Sequence, residues 1–228
     1  AMRTSKLFSA AISLCAALAV LACSIAVPIL FRPFYYAQIE SLELPARTGY
    51  SEEIIREAYD EMLDFCVLGS PFGTGALRWS ESGRSHFADV AVLFRLDFGV
   101  AAASLAGLAV CLGLYLGRKL RPHRFLGRGP GFWAGALLAG CFMIVTVLAA
   151  TDFNRAFVVF HALFFPGKEN WIFDPRTDEI INILPQEFFM NCAVCIVAVL
   201  LLCCACLVLS DLLFGRRRRK NLSPAGKS

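Results

Sequence analysis

Four long apolar segments, separated by two long polar segments and a short one, set the pattern of the chain. The apolar segments are residues 7–30, 98–116, 131–150 and 192–214, and Asp211 is the only charged residue within them. Each segment is long enough to cross the hydrocarbon core of a bilayer, which takes about 20 apolar residues. The pattern therefore predicts an all-α membrane protein with four transmembrane helices.

The first long polar segment also contains helical periodicity. Apolar residues recur at helical spacing within 51–66, which predicts an amphipathic helix with Ser51 as its N-cap. This helix is expected either to lie on the membrane or to roof the bundle. The helix of the second span is predicted to begin above the membrane, with Ser85 as its cap.

Charge orients these segments. Of the 22 lysine and arginine residues, 13 lie near the N-terminus, in the short polar segment or in the C-terminal tail, whereas the two long polar segments contain nine together with 17 acidic residues. By the positive-inside rule, both termini are cytoplasmic and the two long loops form an extracytoplasmic cap with short helices. The predicted organisation is transmembrane helix 1 at 7–30, a cap loop at 31–97, transmembrane helix 2 at 98–116, a basic cytoplasmic loop at 117–130, transmembrane helix 3 at 131–150, a cap loop at 151–191, transmembrane helix 4 at 192–214 and a basic cytoplasmic tail at 215–228.

Composition narrows the function classes. A chain of 228 residues that is 57% hydrophobic is too apolar for one soluble domain. Nine of the ten cysteines lie in the apolar segments and only Cys66 lies outside, so the cysteines are interpreted as small packing residues. The chain has no glycine-rich phosphate loop and no HExxH motif, so we expect no cofactor and no metal. The basic tail is interpreted as binding anionic membrane lipid, not nucleic acid.

Two of the three histidines fall in the long polar segments. His161 lies at the border between water and a stripe of phenylalanines on a predicted helix, where the simplest interpretation is an interfacial aromatic belt. His86, at the top of the neighbouring span, changes this interpretation. Two imidazoles close above one bundle make a plausible proton-transfer pair. The stripe consists of Phe153, Phe157, Phe160 and Phe164.

Three motifs carry a resemblance to a known family. "SHFADV" heads the second span, "FHALFF" follows the third, and "NWIFDPRTDEIINILPQEFF" leads into the fourth. Together with the four-span plan, which matches along essentially the whole chain, these motifs resemble the bacterial lipoprotein intramolecular transacylases. The resemblance places the two functional histidines of that family on His86 and His161.

The resemblance also implies a reaction and a partner. One acyl chain of an S-diacylglyceryl-modified bacterial lipoprotein would move from the glycerol sn-2 oxygen to the α-amino group of the same N-terminal cysteine. The product would be an N-acyl, lyso-form lipoprotein, made at the extracytoplasmic face of the bacterial cell membrane. Conversion of an ester to an amide is downhill and needs no ATP. One histidine can remove a proton from the amine while the other protonates the departing oxygen.

Supporting residues are expected around this pair. Asp89 lies on the same helix face as His86 and could orient its imidazole, or it could be a favourable charge in the first turn of a helix. Asn170, Trp171, Arg84 and Arg155 are candidate oxyanion donors. Three charged residues could hold the loops by ion pairs or receive the substrate amine: Asp174, Arg176 and Glu187.

Helix dipoles suggest the order of proton transfer. His86 is predicted in the first turn of its helix, which favours a neutral base, and His161 in the last turn, which favours a protonated acid. Burial of either ring could reverse this order. Two other classes stay open: a zinc-dependent membrane hydrolase using His86, Asp89, His161 and Asp174, and a non-catalytic lipid-binding or sensing protein.

Overall fold

The computed structural model describes residues 3–222, and the side chains of residues 3–213. The helices are α1 Lys6–Leu30, α2 Pro33–Ser41, α3 Leu44–Thr48, α4 Glu52–Leu68, α5 Glu81–Leu116, α6 Pro130–Thr151, α7 Phe153–Phe164 and α8 Gln186–Leu222, with a 3-10 turn at Glu179–Asn182. Four of them, α1, α5, α6 and α8, are long and apolar enough to cross a membrane. The predicted all-α membrane fold is confirmed. One small feature was not predicted: β1, Arg3–Ser5, pairs in parallel with β2, Leu120–Pro122.

Helix α5 begins earlier than the sequence predicted. It starts at Glu81, so Ser85 lies inside the helix and is not its cap. Ser80 takes that role, because its Oγ accepts a hydrogen bond of 3.0 Å from the N–H of Gly83. Thirty-six residues give a helix of about 54 Å, which exceeds the roughly 30 Å of a hydrocarbon core. The helix is therefore long enough to extend beyond such a core, and it contains the whole segment 98–116 that was predicted to span the membrane.

The chain forms two compact units. The first contains the described parts of Ala1–Ser24, Gly99–Thr146 and Val197–Ser228. Small residues let its helices approach closely: a Cβ atom on Gly107 would meet the Sγ of Cys15 at 2.8 Å.

Asp211, the charged residue of the fourth apolar segment, is also satisfied within the first unit. It accepts hydrogen bonds from the guanidinium of Arg124 and from the N–H of Gly129, each 3.0 Å long. The side chains of the basic tail, 215–228, lie outside the described residues.

The second unit contains Ile25–Phe98 and Val147–Ile196. Ser51 caps α4 as predicted, with its Oγ accepting from the N–H of Ile54. The apolar face of α4 is buried in the core of this unit, so of the two predicted alternatives the one in which this helix lies on the membrane is wrong. The buried residues of this face are Ile55, Ala58, Tyr59, Met62, Leu63 and Cys66.

Tyr35 joins the two polar segments in this core. Its ring stacks on Tyr59 of α4 with a centroid separation of 3.7 Å. Its hydroxyl donates a 2.8 Å hydrogen bond to the carbonyl of Ile183, which belongs to the second polar segment. The two loops therefore share a single core.

Candidate active site

The two histidines of the polar segments meet in the second unit. His86 is the sixth residue of α5, in its second turn, whereas His161 lies in the last turn of α7. Their ring centroids are 5.8 Å apart and the planes differ by 30°. Each histidine is only 6% exposed. The prediction that the two imidazoles lie close together agrees with this geometry, but the first-turn position of His86 is wrong, because α5 starts at Glu81.

Aromatic rings surround the pair. Phe165 and Phe173 meet the His86 ring edge-on, at centroid distances of 5.0 and 5.5 Å. Trp171 stacks on His161 at 4.4 Å, and Phe157 lies 4.3 Å from the same ring. His161 is therefore buried among aromatic rings, and its predicted position at a border with water is wrong.

The hydrogen bonds of the imidazoles differ. Nδ1 of His161 lies 2.8 Å from the carbonyl oxygen of Phe157. Because a carbonyl can only accept, Nδ1 carries the proton, and Nε2 holds the lone pair when this ring is neutral. Nδ1 of His86 is buried and has no hydrogen bond among the described residues.

Burial makes both imidazoles harder to protonate. Burial, and then the neighbouring His161, lower the pKa of His86 to about 4, although Asp89 and the Asn170 amide partly oppose this. Burial also lowers the pKa of His161, and the Phe157 carbonyl partly opposes this shift. Both imidazoles therefore favour their neutral forms.

Three hydrogen-bonded polar side chains lie beside His86. Asp89 accepts a 2.5 Å hydrogen bond from the ammonium of Lys168 and a 3.0 Å bond from the amide nitrogen of Asn170. Burial of Asp89 disfavours its ionised form, but these two bonds outweigh burial and lower its pKa. No hydrogen bond joins Asp89 to His86 within the described residues. Asp89 also lies in the third turn of α5, so it is not a first-turn charge.

A clamp between the two polar segments positions the start of α5. The carboxylate of Asp178 accepts 2.8 Å hydrogen bonds from both the N–H and the hydroxyl of Ser80, the cap residue. Next to it, the guanidinium of Arg78 donates a 2.9 Å hydrogen bond to Glu179. Glycine at position 83 leaves room for these contacts, because a Cβ there would lie 2.1 Å from an oxygen of Asp178.

Three charged residues that were predicted to support the site form ion pairs with residues other than the two histidines. Asp174 pairs with Arg176 at 2.9 Å and Glu187 pairs with Arg47 at 3.5 Å, as the loop-holding alternative predicts. None of them has a hydrogen bond or ion pair to either histidine within residues 3–213.

The candidate oxyanion donors are mostly engaged as well. The indole N–H of Trp171 donates to the carbonyl of Lys168 at 3.1 Å, and Arg84 pairs with Glu81 at 2.7 Å. The amide nitrogen of Asn170 faces Asp89 and Ser85. Arg155 is exposed.

Sequence reasoning missed three groups near the site. Phe165 and Phe173 lie inside the quoted motifs, so their apolar character was a usable signal. Lys168 carried no signal, because its partner Asp89 is 79 residues away along the chain. Within the described residues, no group of three or more histidine, cysteine or acidic side chains could hold a metal ion.

Known proteins that resemble this chain indicate its family and support its fold. A sequence profile of the lipoprotein intramolecular transacylase Lit family matches residues 10–189. A comparison with curated proteins finds no match. The chain is similar to the structure of the membrane integral lipoprotein intramolecular transacylase Lit from Bacillus cereus, with 26% identity, a TM-score of 0.79 and coverage of 94% of this chain and 96% of that one.

Two further structures of that Bacillus cereus protein support the fold. One carries a histidine-to-arginine substitution and is 23% identical, with a TM-score of 0.76 and coverage of 94% of this chain and 93% of that one. The other carries a histidine-to-alanine substitution and is 24% identical, with a TM-score of 0.73 and coverage of 92% and 94%.

Proposed function

Because the chain belongs to the lipoprotein intramolecular transacylase Lit family, we propose that it moves the sn-2 acyl chain of an S-diacylglyceryl lipoprotein to the α-amino group of the same N-terminal cysteine. The observation that carries this proposal is the pair of buried imidazoles, with ring centroids 5.8 Å apart. Two titratable groups at this separation can serve the two ends of one acyl transfer. We further propose that both termini are cytoplasmic and that the site faces the extracytoplasmic side.

The transfer needs one proton to move. The amine nitrogen forms a bond to the ester carbonyl carbon, and the tetrahedral intermediate then breaks its bond to the sn-2 oxygen. The nitrogen loses a proton and the departing oxygen gains one. The product is an isomer of the substrate, and no water or cofactor is consumed. General acid–base catalysis typically contributes about 10² to 10⁴ in rate to such a step.

We assign the base to His86 and the acid to His161. The low pKa of His86 keeps it neutral near pH 7. Although such an imidazole is a weak base, the N–H bonds of the amine become much more acidic once its nitrogen has bonded to the carbonyl carbon. The stacking of His161 on Trp171 favours an imidazolium at this ring by cation–π attraction. These are the same base and acid roles that the helix dipoles suggested. For His86, however, the reason is now its burial and its contacts, because it does not lie in the first turn of α5.

The two other function classes, a zinc hydrolase and a non-catalytic lipid-binding protein, have less support from the site. A zinc hydrolase has no ligand set among the described residues, since Asp174 pairs with Arg176 and Asp89 with Lys168. A non-catalytic lipid-binding protein would gain nothing from two adjacent buried imidazoles, whose desolvation carries a cost.

The test uses purified protein and a synthetic diacylglyceryl lipopeptide. Because the reaction is an isomerisation, the intact mass should stay unchanged while the N-terminal amine stops reacting with an amine reagent. Tandem mass spectrometry should place one acyl chain on nitrogen, and activity should survive chelation. Release of free fatty acid, abolished by a chelator, would support the zinc hydrolase instead. An unaltered lipopeptide would support the non-catalytic class.

A second substrate tests the roles of the histidines. A lipopeptide with an unusually good sn-2 leaving group needs little help from an acid. We expect it to rescue His161→Gln much more than His86→Gln. Equal rescue, or the reverse pattern, would remove the assignment and leave the transacylase proposal intact.

A further inference from the structure

Residues 168–171 contact the surroundings of both histidines. Asn170 reaches the side of His86, and Trp171 stacks on His161. The indole N–H of Trp171 is held by the carbonyl oxygen of Lys168 at 3.1 Å, and the ammonium of Lys168 is held by Asp89. Lys168 therefore anchors this segment at two points.

The contacts of Asp89 fix the orientation of the Asn170 amide. An ionised carboxylate can only accept hydrogen bonds, so the Asn170 group 3.0 Å from Asp89 must be the nitrogen. The amide oxygen of Asn170 consequently points away from Asp89. This oxygen is buried and has no hydrogen bond among the described residues, and the same is true of Nδ1 of His86.

Resting on the proposed function, we propose that Lys168 is a positioning residue that acts on His86 through Asp89 and Asn170. Lys168 holds Asp89, Asp89 orients the Asn170 amide, and the amide oxygen accepts the Nδ1 proton of His86 when substrate binds. This leaves the lone pair on Nε2 of His86, where a base needs it. Catalytic hydrogen bonds are often incomplete without substrate and tighten in the complex.

The ion pair between Lys168 and Asp89 is only partly buried, which limits its value for stability. The side chain of Lys168 is 47% exposed and that of Asp89 22%, so solvent reaches both members of the pair. Its value for stability is small, as for most exposed ion pairs. Its effect on geometry is larger, because without the ammonium Asp89 can turn toward water and release Asn170.

The experiment compares Lys168→Met with Lys168→Arg in the acyl-transfer assay. The methionine keeps the stem and removes the charge, and the backbone carbonyl that holds Trp171 stays, so only the His86 side is tested. We expect kcat to fall about tenfold or more with little change in KM, since small misplacements of a catalytic group carry large rate costs. Lys168→Arg should recover most of the rate. The matched control is Arg56→Met, which removes the exposed Arg56–Glu52 ion pair of α4 and should leave kcat unchanged.

A double variant separates positioning from general destabilisation. If Lys168 acts through Asp89, Lys168→Met should cause no further loss in an Asp89→Asn background. A full additional loss there, or wild-type kcat in Lys168→Met, would overturn the inference. If the rate of Lys168→Met returns to the wild-type value when it is measured well below the melting temperature of the variant, the loss reflects destabilisation. This result would also overturn the inference. If wild-type protein transfers no acyl chain, the proposed function itself fails.

Discussion

At the scale of single residues, burial sets the proton chemistry of the site. An unfolded imidazole binds a proton below about pH 6.5, whereas His86 in the folded protein stays neutral down to about pH 4. Between these values the unfolded state binds more protons, so the folded state loses stability as the pH falls through this window. The lowered pKa of His161 acts in the same direction.

This linkage gives a first prediction. The melting temperature of the wild-type protein should fall between pH 7 and about pH 4.5, and that of His86→Gln should fall less, because glutamine binds no proton. Thermal unfolding in detergent at several pH values measures both slopes. Parallel slopes would show that His86 does not carry this pH dependence.

Cys66 provides a second prediction at this scale. Its side chain is buried in the core of the second unit, with Sγ 3.6 Å from the carbonyl oxygen of Phe87. Burial raises the pKa of the Cys66 thiol to about 12, so almost no thiolate exists at neutral pH. Cys66→Ala should therefore keep most of the acyl-transfer rate in the lipopeptide assay. An acyl adduct trapped on Cys66 would contradict direct transfer between amine and ester.

At the scale of elements, the start of α5 links the two polar segments to the site. Gly83 lets the helix approach Asp178 and Phe173 closely. We predict that Gly83→Ala destabilises the protein by about 1–3 kcal/mol and lowers the transfer rate, because the overpacked helix end must shift and carries His86 with it. Gly99→Ala is the matched control in α5, since a Cβ there meets nothing within 4 Å. Chemical or thermal unfolding compares the two, and equal effects would contradict the close-packing explanation.

The helices were the features that the sequence predicted best, because the pattern that specifies a helix lies within a short stretch of the chain. Four apolar segments predicted α1, α5, α6 and α8, and the spacing within 51–66 together with Ser51 predicted α4. The start of α5 was missed because Ser80 and Ser85 are both plausible caps. The choice between them depends on Asp178, which is 98 residues away from Ser80 along the chain.

The helix that carries His161 shows where local patterns stop being sufficient. Its phenylalanines were predicted to share one face, but the structure places them in different surroundings. Phe157 packs against His161, whereas Phe160 and Phe164 are each 46% exposed. A 12-residue helix with apolar residues on most sides does not specify which side is buried. Packing against other segments decides this.

At the scale of the whole molecule, the pairing of the histidines follows from topology. His86 and His161 are 75 positions apart in sequence, and two polar segments packed into one unit bring them together. The sequence indicated this pairing through the predicted positions of both histidines above one bundle and through the order of the motifs relative to the apolar segments. The Lys168–Asp89 contact had no counterpart in any motif, so only the structure could reveal it.

Charge distribution supplies the last prediction, which concerns the side of the membrane that carries the site. The short polar segment 117–130 contains five basic residues and no acidic one, which predicts a cytoplasmic location, and the opposite side for 151–191. In intact cells, Glu169→Cys should react with a membrane-impermeant thiol reagent, whereas Lys119→Cys should react only after lysis. Both positions are exposed, and both variants share the same native cysteines, so wild-type labelling is the common background. Labelling of Lys119→Cys alone in intact cells would invert the proposed orientation and place the histidine pair on the cytoplasmic side.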